Sequence, residues 1–178
     1  MRESSSKDRE DRRRLGRLAS GDTDAWEEIW DRHAERLHGH ALWVLRNRQD
    51  AEDVVQTVFV KLAGMGSELL DIRRPAAYLF RMAHREALDV LRSRRSRDEP
   101  LARAPLFESG ELDPERRAEL VMIEHRIAGL DTAQREALYL HLHGGLTFRE
   151  IGKVTGVPTA TAASRYRLGI EKLKRKAR

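Results

Sequence analysis

The side chains of this sequence best suited to do chemistry are basic ones, and they collect in two stretches. From Ala160 to Arg178 there are seven (Arg165, Arg167, Lys172, Lys174, Arg175, Lys176 and Arg178) against Glu171 alone. A helix carrying them would lie against phosphates. Just upstream, Thr147 and Glu150 have the spacing of a capping box, Thr155-Gly156-Val157 can turn the chain, and another helix can begin near Pro158. A short helix, a glycine turn and a second helix at a steep angle make a helix-turn-helix, which sets its second helix in the major groove. The other stretch, Arg73 to Arg97, holds eight arginines against Glu86 and Asp89. At about 100° per residue, Arg81, Arg85 and Arg92 fall within about 40° of one another, and Tyr78 is a stacking candidate near the start of the same helix. Two separated basic surfaces predict two contacts on one nucleic acid.

Two other clusters invite a catalytic or metal reading and fail it. Asp50, Glu52, Asp53 and Gln56 gather at the start of an amphipathic helix, where acidic groups favour the macrodipole, and no nucleophile or phosphate loop lies nearby in sequence. They predict a capped helix with a partner-binding face. His38 with His40, and His141 with His143, resemble ligand pairs, but residues two apart on a helix point in different directions. No metal and no cofactor are expected.

The elements that must position these residues are helical. Trp26, Ile29, Trp30, His33 and Leu37 recur with the period of a helix that buries one face, and Ala41, Leu42 and Leu45 continue it. Asp50 is expected to cap a helix with Ala51, Val54, Val55, Val58, Phe59 and Leu62 on one stripe, ended by Gly64 and Gly66. Pro75 opens the next helix, whose apolar face runs from Leu79 to Leu91 and which should end near Arg92. Leu120, Ile123, Ile127 and Leu130 mark a further helix, and Asp131 with Gln134 can cap one through Leu138 and Leu142.

The expected architecture is all-α: two small helical domains joined by a flexible linker, the C-terminal one containing the helix-turn-helix. Residues 1–14 carry no apolar side chain after Met1 and are expected to be a disordered tail. The first domain spans 15–92, the linker 93–112 and the second domain 113–176. Composition agrees, since 35% charged and 6% aromatic residues suit amphipathic helices better than sandwiches. The net charge of +5 admits a polyanionic partner. No cysteine is present, which excludes disulfides and thiolate metal sites, and no apolar run approaches the roughly 20 residues of a membrane span. With Met1 to Arg14 charged throughout there is no sign of a signal peptide, and a cytoplasmic location is expected.

In their order and spacing these motifs resemble the extracytoplasmic-function (ECF) sigma factors of bacterial RNA polymerase. DAEDVVQTVFVKL is similar to the family's region 2.2, RRPAAYLFRMAHREALDVLRSRR to regions 2.3 and 2.4, and LTFREIGKVTGVPTATAASRYRLGIEKLKRK to region 4.2. The resemblance implies a non-enzymatic subunit that binds core RNA polymerase and directs promoter-specific transcription initiation. It implies a contact from Asp50, Glu52, Asp53 and Gln56 to the beta-prime clamp helices, and from Tyr78, Arg81, Arg85 and Arg92 to the −10 element. Thr159, Thr161, Ser164, Arg165 and Arg167 would meet the −35 element, the beta flap would be a further partner, and an anti-sigma factor could mask these surfaces. The chain departs from the family's pattern where Tyr78 and Arg85 replace the usual Trp and Asn, and where Ala160-Thr161-Ala162 replaces Gly-Thr-Val. The rival reading is a stand-alone helix-turn-helix regulator that binds DNA without polymerase.

Overall fold

The computed structural model describes residues 2–98, 104–106 and 113–175, and every regular element among them is helical. Helices α1 (Arg2–Ala19), α2 (Asp24–Leu45), α3 (Arg48–Ala63) and α4 (Pro75–Ser96) form the N-terminal domain, with a 3-10 turn at Gly66–Asp71. Helices α5 (Pro114–Ala128), α6 (Thr132–Leu142), α7 (Phe148–Thr155) and α8 (Thr159–Arg175) form the C-terminal one.

The start signals read from sequence operate largely as expected. Pro75 stands in the first turn of α4, where its missing N–H costs nothing. The Asp131 carboxylate accepts from the Gln134 N–H at 2.8 Å and caps α6. At α3 the expectation fails by one turn: the cap is Asn47, whose side-chain oxygen accepts from the Asp50 N–H at 3.0 Å. The stretch that breaks the apolar period thus contains the cap itself, and Asp50 is already inside the helix. Helix α4 also runs one turn past Arg92, to Ser96, because the Arg94 guanidinium reaches back 2.5 Å to the Asp50 carboxylate.

The N-terminal core is built on Ile29, Leu37, Val58, Phe59, Leu62, Leu79 and Phe80, all fully buried. Trp26 meets the Phe59 ring edge-on at 5.4 Å, whereas Trp30, expected inside, lies over Phe59 at 4.5 Å with its outer face exposed. Helix α5 is likewise less buried than its apolar period predicts: Ile127 is inside while Val121, Met122 and Ile123 are exposed.

The largest departure is at the N-terminus, where residues expected to be disordered form α1. Its stripe is polar. Asp11 is only 4% exposed, its carboxylate accepting from Arg32 Nε at 2.8 Å and lying 3.1 Å from His33 Nε2. Arg14 and Arg17 reach Glu28 at 2.9 and 2.6 Å. An apolar-period argument cannot see a helix held by ion pairs whose partners lie on α2. Of the linker, expected to be flexible, residues 99–103 and 107–112 lie outside the described residues. Ala104 and Leu106 are docked, their N–H groups donating to the Arg46 carbonyl at 2.7 Å and to Glu124 at 3.0 Å.

Burial pushes the Asp11 carboxyl up, but His33, Arg32 and Arg14 outweigh it and hold it below the ordinary range. Asp11→Ala leaves the half-buried Arg32 and Arg14 guanidiniums without their buried partner, and urea denaturation at neutral pH should register a loss of about 3 kcal/mol. Stability equal to the parent's would mean that α1 is not docked.

Candidate functional site

The basic stripe of α4 forms as predicted, because the opposite face of the helix is consumed by Leu79, Phe80, Ala83 and Ala87 in the core. The Arg81 guanidinium sits 5.4 Å from the centre of the Tyr78 ring, and the Tyr78 hydroxyl donates to Met65 Sδ. Arg85 is exposed and Arg92 is held 2.7 Å from Asp89. Tyr78 and Arg81 share a cleft with Met65, Arg74 and, from the other domain, Glu150 and Lys153.

On α3, Glu52, Asp53 and Gln56 are exposed on the edge away from the core, with Gln49 donating to Asp53 at 3.2 Å. Asp50 does not stand with them, since it is half-buried and paired with Arg94. It ties α3 to α4 and stands apart from the other three.

The helix-turn-helix is α7 and α8. Thr147 caps α7 with a complete capping box, its backbone N–H donating to Glu150 at 2.9 Å and its hydroxyl accepting from the Glu150 N–H at 3.3 Å. Gly156 ends α7 with φ +71°, a left-handed conformation that favours glycine. Helix α8 turns Ala162 and Gly169 inward and leaves Ser164 near the middle of its outer face. At about 100° per residue Arg167 lies about 60° from Ser164 and Arg165 about 100°, so Arg167 points more nearly outward. Its side chain is 71% exposed, with Glu171 at 4.0 Å, while Arg165 is half-buried. Thr159 is exposed and Thr161 half-buried on the same helix.

The contact between the two domains leaves no mark in the apolar periodicity. Glu136 on α6 is buried, and its Oε1 lies 2.8 Å from Nε2 of His40 on α2 and 2.6 Å from Nδ1 of His84 on α4. Around it, Arg36 donates to the Gly144 carbonyl at 2.6 Å and to that of His143, where the C-terminal end of α6 attracts a cation. The Tyr139 hydroxyl donates back to the Arg36 carbonyl at 3.0 Å, and a side chain at Gly39 would collide with it. At the rim, Arg74 lies 3.0 Å from Asp8 and 2.5 Å from Glu150. His141 and His143 diverge as predicted: His141 stacks on Phe148 at 4.6 Å, whereas His143 stacks on Tyr139 at 5.0 Å. What sequence spacing missed is that His40 would meet residues 44 and 96 positions away.

Two helical domains, one with a helix-turn-helix and both with basic faces, define a class of nucleic-acid-binding protein, and comparison with known proteins narrows it. Residues 29–97 match the Sigma-70 region 2 model and residues 120–173 the Sigma-70 region 4 model. The chain is 30% identical over 170 residues to the ECF RNA polymerase sigma factor SigK of Mycobacterium sp. (strain KMS), covering 90% of this chain and 86% of that protein. It is also 30% identical over 169 residues to the RNA polymerase sigma factor CarQ of Myxococcus xanthus, covering 90% and 93%. In fold it resembles the solved structure of CnrH in complex with the cytosolic domain of CnrY, with a TM-score of 0.64 and 24% identity, covering 92% of this chain and 94% of that one. The chain belongs to the ECF sigma factors. It is a promoter-recognising subunit of RNA polymerase, and the stand-alone regulator is not favoured. No helix among the described residues is long and apolar enough to cross a membrane.

Burial pushes the Glu136 carboxyl up, but His40 and His84 outweigh it and bring it from 4.5 to about 2. A carboxylate whose folded value is depressed contributes stability above its ordinary value, and that contribution is lost as pH falls through the folded one. Denaturation between pH 4.5 and about 2 should therefore show stability falling with acid more steeply in the parent than in Glu136→Gln. Parallel curves would mean that Glu136 is not held by the two imidazoles.

Proposed function

We propose that the outer edge of α3, through Glu52, Asp53 and Gln56, docks on the beta-prime clamp helices of core polymerase, with Asp50 shaping that edge through Arg94. Tyr78, Arg81, Arg85 and Arg92 on α4 engage the −10 element, Tyr78 by stacking on an unpaired base and the arginines on phosphates. Helix α8 enters the major groove at the −35 element, with Thr159, Thr161 and Ser164 beside Arg167, and Arg165 on the flank holding phosphate. The C-terminal domain also meets the beta flap, and catalysis resides in the polymerase. The work is done in the cytoplasm, where the polymerase is. A protein that masks these surfaces, of anti-sigma type, is supported by the capture of CnrH with the cytosolic domain of CnrY.

The observation that carries the reading is the division of faces on α4 and α8. On each helix the apolar side is used up by its own domain, and the side left at the surface carries hydrogen-bonding and cationic groups at helical spacing. A polymerase-independent regulator would need neither the α4 stripe nor an acidic edge on α3.

Two experiments separate the parts. Pull-down of core polymerase without DNA should succeed with the parent and weaken about tenfold with Asp53→Lys, whose helix content should not change. Undiminished binding would remove α3 from that interface. Titration against a library of −35 sequences should show Arg167→Ala costing about 1–3 kcal/mol on the preferred site and relaxing preference at one base pair. Arg165→Ala should weaken all sequences alike and lower the salt dependence by about one counterion, and the reverse pattern would exchange the two roles.

A further inference from the structure

We infer that His40, His84 and Glu136 form a binding site for a divalent transition-metal ion, of the zinc class, that clips the two domains together. The three ligand atoms lie within 4.8 Å of one another and all three residues are buried. They come from α2, α4 and α6, so the site exists only when the domains are packed. Two histidines and a glutamate are an established zinc ligand set. Bonds of about 2.0–2.2 Å at tetrahedral angles place ligand atoms roughly 3.3 Å apart, so the 2.8 and 2.6 Å separations of His40 Nε2 and His84 Nδ1 from Glu136 Oε1 would open by about 0.5–0.7 Å while the two nitrogens, within 4.8 Å of each other, close around the ion. Both imidazoles now compete for one carboxylate oxygen, and an ion would take a lone pair from each instead. Water supplies the fourth position. Imidazole selects zinc, cobalt or nickel over magnesium and calcium, which demand oxygen ligands, so the magnesium of transcription does not compete.

The consequence for activity rests on the promoter reading above, whereas ion binding does not. Elements at −10 and −35 lie about 25 positions, or roughly 85 Å of B-DNA, apart. In the packed arrangement Tyr78 and Arg81 line one cleft with Glu150 and Lys153 of the helix-turn-helix domain. The two surfaces cannot span that distance while clipped. A bound ion therefore adds to the contacts that hold the chain in a form that cannot engage both elements.

The test uses the full chain, stripped with chelator, with no polymerase or DNA present. Co²⁺ is titrated with visible absorption as the readout and Zn²⁺ by calorimetry. One ion per chain is expected, with a Co²⁺ spectrum of low coordination number and no response to Mg²⁺. Binding should weaken at least about tenfold in Glu136→Gln and in His84→Gln. It should be unchanged in His125→Gln, whose histidine is exposed on α5. Should either interface variant misfold by circular dichroism, Co²⁺-induced broadening of the His40 and His84 ring signals in the parent gives the same information. No uptake, equal uptake by the folded variants, or broadening confined to other histidines overturns the site. None of those outcomes bears on core-polymerase binding, so the sigma-factor reading stands or falls separately.

Discussion

A buried carboxylate is the constraint on which the arrangement of this molecule depends. Removing the charge of Glu136 from water costs several kcal/mol, and α6 offers it nothing in return. The compensation comes from His40 and His84 on the other domain, at 2.8 and 2.6 Å. Once that pair is engaged the neighbouring contacts follow: Arg36 finds the carbonyls at the end of α6, Tyr139 fits against Gly39, and Arg74 bridges Asp8 and Glu150. A glycine within a helix costs about 1 kcal/mol relative to alanine, and Gly39 offsets it by letting the second domain approach. The C-terminal domain is thus fastened to α1, α2 and α4 by polar groups with defined geometry, and such contacts hold one arrangement in preference to many.

Local signals were legible in the sequence because they act within a few residues. The Thr147–Glu150 capping box, Pro75 at the start of α4, Asp131 at the start of α6 and Gly156 in the turn all satisfy backbone groups of their own helix, so spacing alone finds them. The stripes of α4 and α8 were legible for the same reason. The α3 cap was misplaced by three residues because Asn47 and Asp50 are both competent caps, and only the backbone of Asn47, extended at φ −141°, decides between them.

Interactions between distant, mostly polar residues were not legible. Asp11 in a run of charges has the look of solvated tail, and its buried role depends on Arg32 and His33 one helix away. Glu136 in the sequence is one more acidic residue on a helix that buries Leu138 and Leu140. His40 meets Glu136 and His84 rather than its sequence neighbour His38, because packed helices bring together residues that sequence spacing keeps far apart. Asp50, grouped with Glu52, Asp53 and Gln56 by proximity, turns inward to Arg94 while the others face out.

In the packed arrangement the contacts around Glu136 hold the two domains together. Those contacts close the free chain. Because the chain has no cysteine, spin labels can be placed uniquely at Val60→Cys on α3 and Leu168→Cys on α8, both exposed positions. Pulsed electron-spin distance measurement on the free protein should give one narrow distribution, broadened and lengthened when Glu136→Gln is added. A broad distribution in the parent, unaltered by Glu136→Gln, would mean that the domains are merely tethered and would contradict the account.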